Sequence, residues 1–141
     1  MHWITNSMLA LAALAFSAAH AMTGGSVKAA FRGEWVPAKA ACNSPLKLVI
    51  DANAVTFGNS AQRAEYRKLD QCFSCMGHDV KNMTLLSTDA IGDSPFMITL
   101  DGTKKTKPGV SVDVGKPEQL GARFPLGNAP LKRCPWLTGK F

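Results

Sequence analysis

Phe96 to Val114 reads FMITLDGTKKTKPGVSVDV. Phe96, Ile98 and Leu100 alternate with Met97 and Thr99, and Val110, Val112 and Val114 alternate with Ser111 and Asp113. Side chains on a strand point to opposite faces in turn, so this period of two puts one face on a core and the other in water. Asp101-Gly102 and Lys107-Pro108-Gly109 separate the two runs, and both are turn formers.

The same grammar extends outward. Turn residues recur about every 8–15 positions, from Thr23-Gly24-Gly25 to Gly127-Asn128-Ala129-Pro130, with short apolar runs between them. The runs Val27–Val36, Leu46–Ile50, Ala54–Phe57, Val80–Ser87, Gly121–Leu126 and Leu131–Cys134 read as further strands. Asp51–Asn53 joins two of them as a hairpin. Ala64–Leu69 reads either way, because AQRAEYRKL also contains good helix formers. The expectation is an all-β chain: a small antiparallel barrel or sandwich of about seven to eight short strands, with one short helix near residues 60–70 as the alternative to a strand.

The chain has 141 residues, 46% of them apolar and 18% charged, which is an ordinary globular mixture for one domain. Residues 1–21 carry no Asp, Glu, Lys, Arg or Cys. Met8 to Ala19 (MLALAALAFSAA) is apolar but shorter than the roughly 20 residues a membrane-spanning helix needs. Ala19-His20-Ala21 follows as an A-x-A cleavage pattern. Residues 1–21 are therefore expected to be a signal peptide cut after Ala21, and residues 22–141 a single exported domain, periplasmic or secreted, that does not span the membrane. The leading segment MHWITNS lacks the Lys or Arg common in such signals.

Cys42, Cys72, Cys75 and Cys134 form an even set in a small exported domain, which favours two disulfides. Four cysteines allow three pairings, and spacing does not choose among them. Cys72-Phe73-Ser74-Cys75 is a C-x-x-C, so thiol–disulfide exchange is one alternative to a staple. Cys72, Cys75 and His78 also offer three metal ligands, with Met76 and Met83 nearby, one short of a closed zinc site. Haem attachment needs C-x-x-C-H, and Met76 occupies the histidine position.

Phe31-Arg32-Gly33-Glu34-Trp35, Cys42 and the ending Lys132-Arg133-Cys134 carry a resemblance. The chain resembles a loose group of small exported bacterial proteins that begin with F-x-G-x-W and carry four cysteines. Gly33-Glu34-Trp35 is also similar to the G-x-W of the calycins, the lipocalin and avidin superfamily. That resemblance implies that Trp35 closes one end of the first strand and that Arg133 or Lys132 packs over it from the last. A cation–π contact of that kind is worth about 0.5–2 kcal/mol. Gly33, Trp35 and Arg133 would then be structural.

Catalytic patterns are scarce. His2 and His20 leave with the signal, so His78 is the one histidine of the mature chain. No G-x-S-x-G, H-E-x-x-H or phosphate-binding loop occurs. Most aspartates fall at turns, where carboxylates bond backbone N–H groups. No catalytic residue and no cofactor is assigned, and the protein is expected to be non-enzymatic.

The formal charge is +6. Arg63, Arg67 and Lys68 flank Tyr66, while Lys104, Lys105 and Lys107 share one loop; both groups are candidate anion-binding sites. Lys132, Arg133 and Lys140 lie near the end. A basic domain repels basic partners such as animal lysozymes and slows association with them. The expectation is a binding or inhibitory module for a neutral or acidic envelope protein or effector. The alternatives are a redox or metal protein using Cys72, Cys75 and His78, and a basic envelope component on anionic glycolipid. The export signal and the scarcity of paired basic and aromatic residues disfavour nucleic acid.

Overall fold

A computed structural model describes residues 25–75, 82–88, 94–104, 106–113 and 120–135. The expected signal peptide, residues 1–21, lies outside the described residues. So do Met76, His78, Lys105 and Lys140.

The described residues form nine strands, β1 (Gly33–Pro37), β2 (Lys47–Ile50), β3 (Val55–Gly58), β4 (Arg63–Tyr66), β5 (Asp70–Cys72), β6 (Met83–Ser87), β7 (Met97–Asp101), β8 (Gly109–Asp113) and β9 (Leu131–Cys134), preceded by a 3-10 turn at Ala29–Phe31. They make two antiparallel sheets, ordered β4-β3-β2-β1-β9 and β5-β6-β7-β8. The sheets are not closed into a barrel, so of the two expected architectures the two-sheet arrangement is the one observed. Every neighbour in each sheet is antiparallel, and only β9 leaves the chain order, returning to pair with β1.

Register places the faces. Trp35, Leu48, Phe57 and Ala64 are cross-strand partners on the inner face of the first sheet, as are Gly33, Ile50, Val55 and Tyr66 one row along. Leu86, Ile98 and Val112 line up on the inner face of the second, beside Thr84, Leu100 and Val110. These apolar side chains merge into one core that spans both sheets. Aromatic rings stitch it together: Phe96 lies 5.1 Å from Phe57 and 5.0 Å from Tyr66 between ring centres. Such pairs add about 0.5–1.5 kcal/mol beyond their burial.

One open alternative is resolved and two expectations are corrected. Residues 63–66 form β4 rather than a helix, because pairing with β3 overrides the helix propensity of that stretch. Val27–Val36 is not one strand: the 3-10 turn intervenes, and β1 begins at Gly33. Gly121–Leu126 is a tight turn rather than a strand. The Phe124 amide donates to the Leu120 carbonyl at 2.9 Å, and Leu120, Phe124 and Leu126 are buried in the core. Asn59 and Gln62, in the β3–β4 connection, bond Arg123 and hold this plug in place.

The cysteines pair as Cys42–Cys134 and Cys72–Cys75. Cys134 faces away from the core, as the partner of Glu34 rather than Trp35. The bond to Cys42 therefore pins the β1–β2 connection across the outer face of the first sheet. On a chain-entropy model, a bond of sequence separation 92 constrains the unfolded chain by roughly 4–5 kcal/mol. The Cys72–Cys75 bond has a separation of 3, and the same model gives about 2 kcal/mol.

Candidate functional site

The residues of the G-x-W element occupy defined places. The Trp35 indole N–H donates to the Phe31 carbonyl at 2.9 Å, fully buried. Arg133 is the direct β9 partner of Trp35. Its guanidinium crosses Gly33, where an added Cβ would stand 3.0 Å from Nε, and Nη1 donates to the Ala30 carbonyl at 3.2 Å. Gly33 has φ of +140°, a region open mainly to glycine. Arg133 thus ties the last strand to the turn that precedes the first. Lys132 pairs with Val36 on the opposite face. Glu34, also on that face, accepts from Lys47 at 3.1 Å.

The first basic group sits on β4, at one edge of its sheet, and in the segment that follows. Glu65 neutralises much of it, with Arg63 at 2.6 Å on one carboxylate oxygen and Arg67 at 2.5 Å on the other. Lys68 is exposed. Arg67 borders open clefts of about 750, 420 and 500 Å³. The largest runs from Tyr66 to Thr88 and Pro95.

The second group gathers partners that are far apart in sequence. Lys104 lines a cleft of about 230 Å³ together with Lys28, Phe31, Asn82 and Gly102. Lys107 is exposed, and its amide closes a turn on the Lys104 carbonyl at 3.1 Å. Arg133, through its guanidinium over Gly33, bonds the carbonyl of Ala30, another residue of the cleft rim. Gly102 packs tightly there, since a Cβ would meet the Asn82 carbonyl oxygen at 3.0 Å and the Phe31 ring at 3.4 Å.

Asp101 directly precedes Gly102 of this lining. Asp101 accepts from the Thr103 hydroxyl at 2.6 Å and the Thr103 amide at 2.8 Å. These two bonds, the hydroxyl first, hold its pKa below the usual carboxylate value, and Lys104 adds to the effect. Asp101 therefore stays ionised and occupied with its own turn. Lys28 and Lys104 line the cleft itself, and Lys107 lies in the same turn as Lys104.

Beside the rim, Lys28 Nζ stands 5.8 Å from the centre of the Phe73 ring. Phe73 is 51% exposed and sits between Cys72 and Cys75. Both sulfurs of the C-x-x-C are joined to each other, so neither is a thiolate ligand in this state. Among the described residues no group of three or more His, Cys, Asp or Glu is arranged to hold a metal ion. Among them, too, no helix is long and apolar enough to cross a membrane.

Lys28 and Arg133 were not grouped with the loop lysines by sequence. Lys28 lies shortly before the G-x-W element, and nothing local links it to Lys104.

Comparison with protein-family models, with curated proteins and with solved structures finds no match. The arrangement of Gly33, Trp35 and Arg133 therefore stands on its own geometry, and no family follows from it.

Proposed function

We propose that this protein is an exported, non-enzymatic binding module whose partner is an acidic protein, engaged through the cleft rim that carries Lys28 and Lys104, with Lys107 and Arg133 contributing from its surroundings. The observation that carries the reading is the approach of Lys28 and Lys104, far apart in sequence, to one small cleft, with Lys107 exposed in the same turn as Lys104 and Arg133 bonded to the Ala30 carbonyl of the lining. Exposed charges of one sign steer an oppositely charged partner and raise its rate of encounter. The neighbouring Phe73 adds an exposed apolar contact of the kind that anchors an interface. Two disulfides fit a small domain that works outside a reducing compartment.

The β4 group is the weaker candidate, because Glu65 already takes Arg63 and Arg67. The test is crosslinked capture from an envelope fraction, comparing wild type with the Lys28→Glu/Lys104→Glu variant. The reading expects an acidic protein crosslinked by the wild type, lost in the variant and weakened by added salt. Capture that is unchanged in the variant overturns the rim as the site. Salt-sensitive binding to anionic glycolipid vesicles, with no protein captured, would instead assign the same rim to a membrane surface.

A further inference from the structure

The Cys72–Cys75 bond has features that a staple does not need. It closes a ring of four residues and so constrains the unfolded chain far less than Cys42–Cys134 does. It sits at the end of β5, which is the edge strand of its sheet among the described residues. Cys72 pairs with Leu85 on the face away from the core and is 97% buried by its surroundings, since only 3% of it is exposed. Cys75 is half-buried, and Phe73 and Ser74 between the two are exposed. The bond is therefore asymmetric, with one sulfur-bearing residue shielded and the other reachable. A large apolar side chain stands next to it, with a lysine ammonium on its ring.

We infer that Cys72–Cys75 is a thiol–disulfide exchange site for protein dithiols, with Cys75 as the sulfur attacked and Phe73 as the contact for the incoming chain. In the exchange, one thiolate of the dithiol attacks Sγ of Cys75. The bond between the two sulfurs breaks, and Cys72 leaves as a thiolate that takes up a proton. The second thiol of the dithiol then loses its proton and attacks its own partner sulfur in the mixed disulfide, releasing Cys75 as a thiolate that is protonated in turn. The dithiol ends as a disulfide, and two electrons and two protons reside on Cys72 and Cys75. A short, accessible disulfide suits this because the attacking sulfur must approach along the bond axis. Lys28 favours the approach of a thiolate by its positive charge.

The full-length protein is incubated with a synthetic two-cysteine peptide in its reduced form, then alkylated and mapped by mass spectrometry. The expected result is one peptide disulfide formed per protein, with both new alkyl groups on Cys72 and Cys75 and with Cys42–Cys134 intact. Phe73→Ser, which keeps both cysteines, should slow the peptide reaction several-fold while leaving reduction by dithiothreitol unchanged. Single-cysteine variants test the direction of attack. Cys75 in Cys72→Ser should form a mixed disulfide with glutathione disulfide at least tenfold faster than Cys72 in Cys75→Ser. A peptide that is not oxidised overturns the proposal, even if dithiothreitol reduces the bond. So does loss of both protein disulfides at comparable rates.

Discussion

Arg133 stands opposite Trp35 across the β1–β9 ladder, and its guanidinium lies over Gly33 to reach the Ala30 carbonyl. The glycine is required twice, by its φ of +140° and by the 3.0 Å approach of Arg133 Nε to the place a Cβ would fill. Gly33→Ala should cost about 1–3 kcal/mol of stability in denaturant unfolding, the usual scale for a side chain forced into such a backbone region. Adding Arg133→Ala should recover part of that loss, because it removes the steric part and leaves the backbone part. If the double variant is no more stable than Gly33→Ala, the close approach is not what constrains the glycine.

The two disulfides should differ in their worth. Replacing Cys42 and Cys134 by Ser removes the long-range closure and should destabilise by roughly 4–5 kcal/mol, against about 2 kcal/mol for Ser at Cys72 and Cys75. Urea unfolding of the two double variants measures the order directly. A larger loss from the short ring would contradict the chain-entropy account.

Asp101 gives a pH signature. Its folded pKa is lowered, first by the Thr103 hydroxyl, then by the Thr103 amide, with Lys104 contributing. A depressed carboxylate contributes stability that is present above its unfolded pKa and is lost as pH falls through the folded one. Thr103→Ala removes the hydroxyl bond, so the Asp101 pKa should rise towards its ordinary value, as followed by NMR titration. The β7–β8 connection should then loosen at a higher pH than in the wild type. An unmoved titration would show that the hydroxyl is not the main cause.

The core depends on its aromatic contacts. Phe96 bridges to Phe57 and Tyr66, and its side chain is 1% exposed. Phe96→Ala should cost about 3–5 kcal/mol by lost burial and an unfilled cavity, measured by thermal or urea unfolding. Phe96→Leu should cost clearly less, since it retains most of the packing volume.

Legibility in the sequence followed chemistry. β7 and β8 could be read because their burial alternates residue by residue, inward at Ile98 and Leu100 and at Val110 and Val112. β5 was missed for the converse reason. Its inward residue is Gln71, buried to 1% exposure, whose amide donates to the Gly25 carbonyl. A polar side chain satisfied by backbone leaves no apolar pattern to see. Gly121–Leu126 looked extended because Phe124 and Leu126 are spaced by two, yet a turn buries both as well as a strand would. The basic loop at Lys104 and Lys107 was visible as a run of like charge. Its extension to Lys28 was not, because only the tertiary approach of the 3-10 turn to the β7–β8 connection brings them to one cleft.

The return of β9 to β1 also sets an order of events. β1 lies between β2 and β9, so its second edge stays unpaired until residues 131–134 have been made. The cysteine at 42 likewise waits for a partner 92 positions later. Until then, β1 presents open backbone N–H and C=O groups to any neighbouring chain, the condition that favours edge-to-edge aggregation. Pairing of such separated segments is intrinsically slow. The molecule's most exposed moment is thus the interval before its last strand docks, and anything that holds β1 apart during that interval would raise the yield of folded protein.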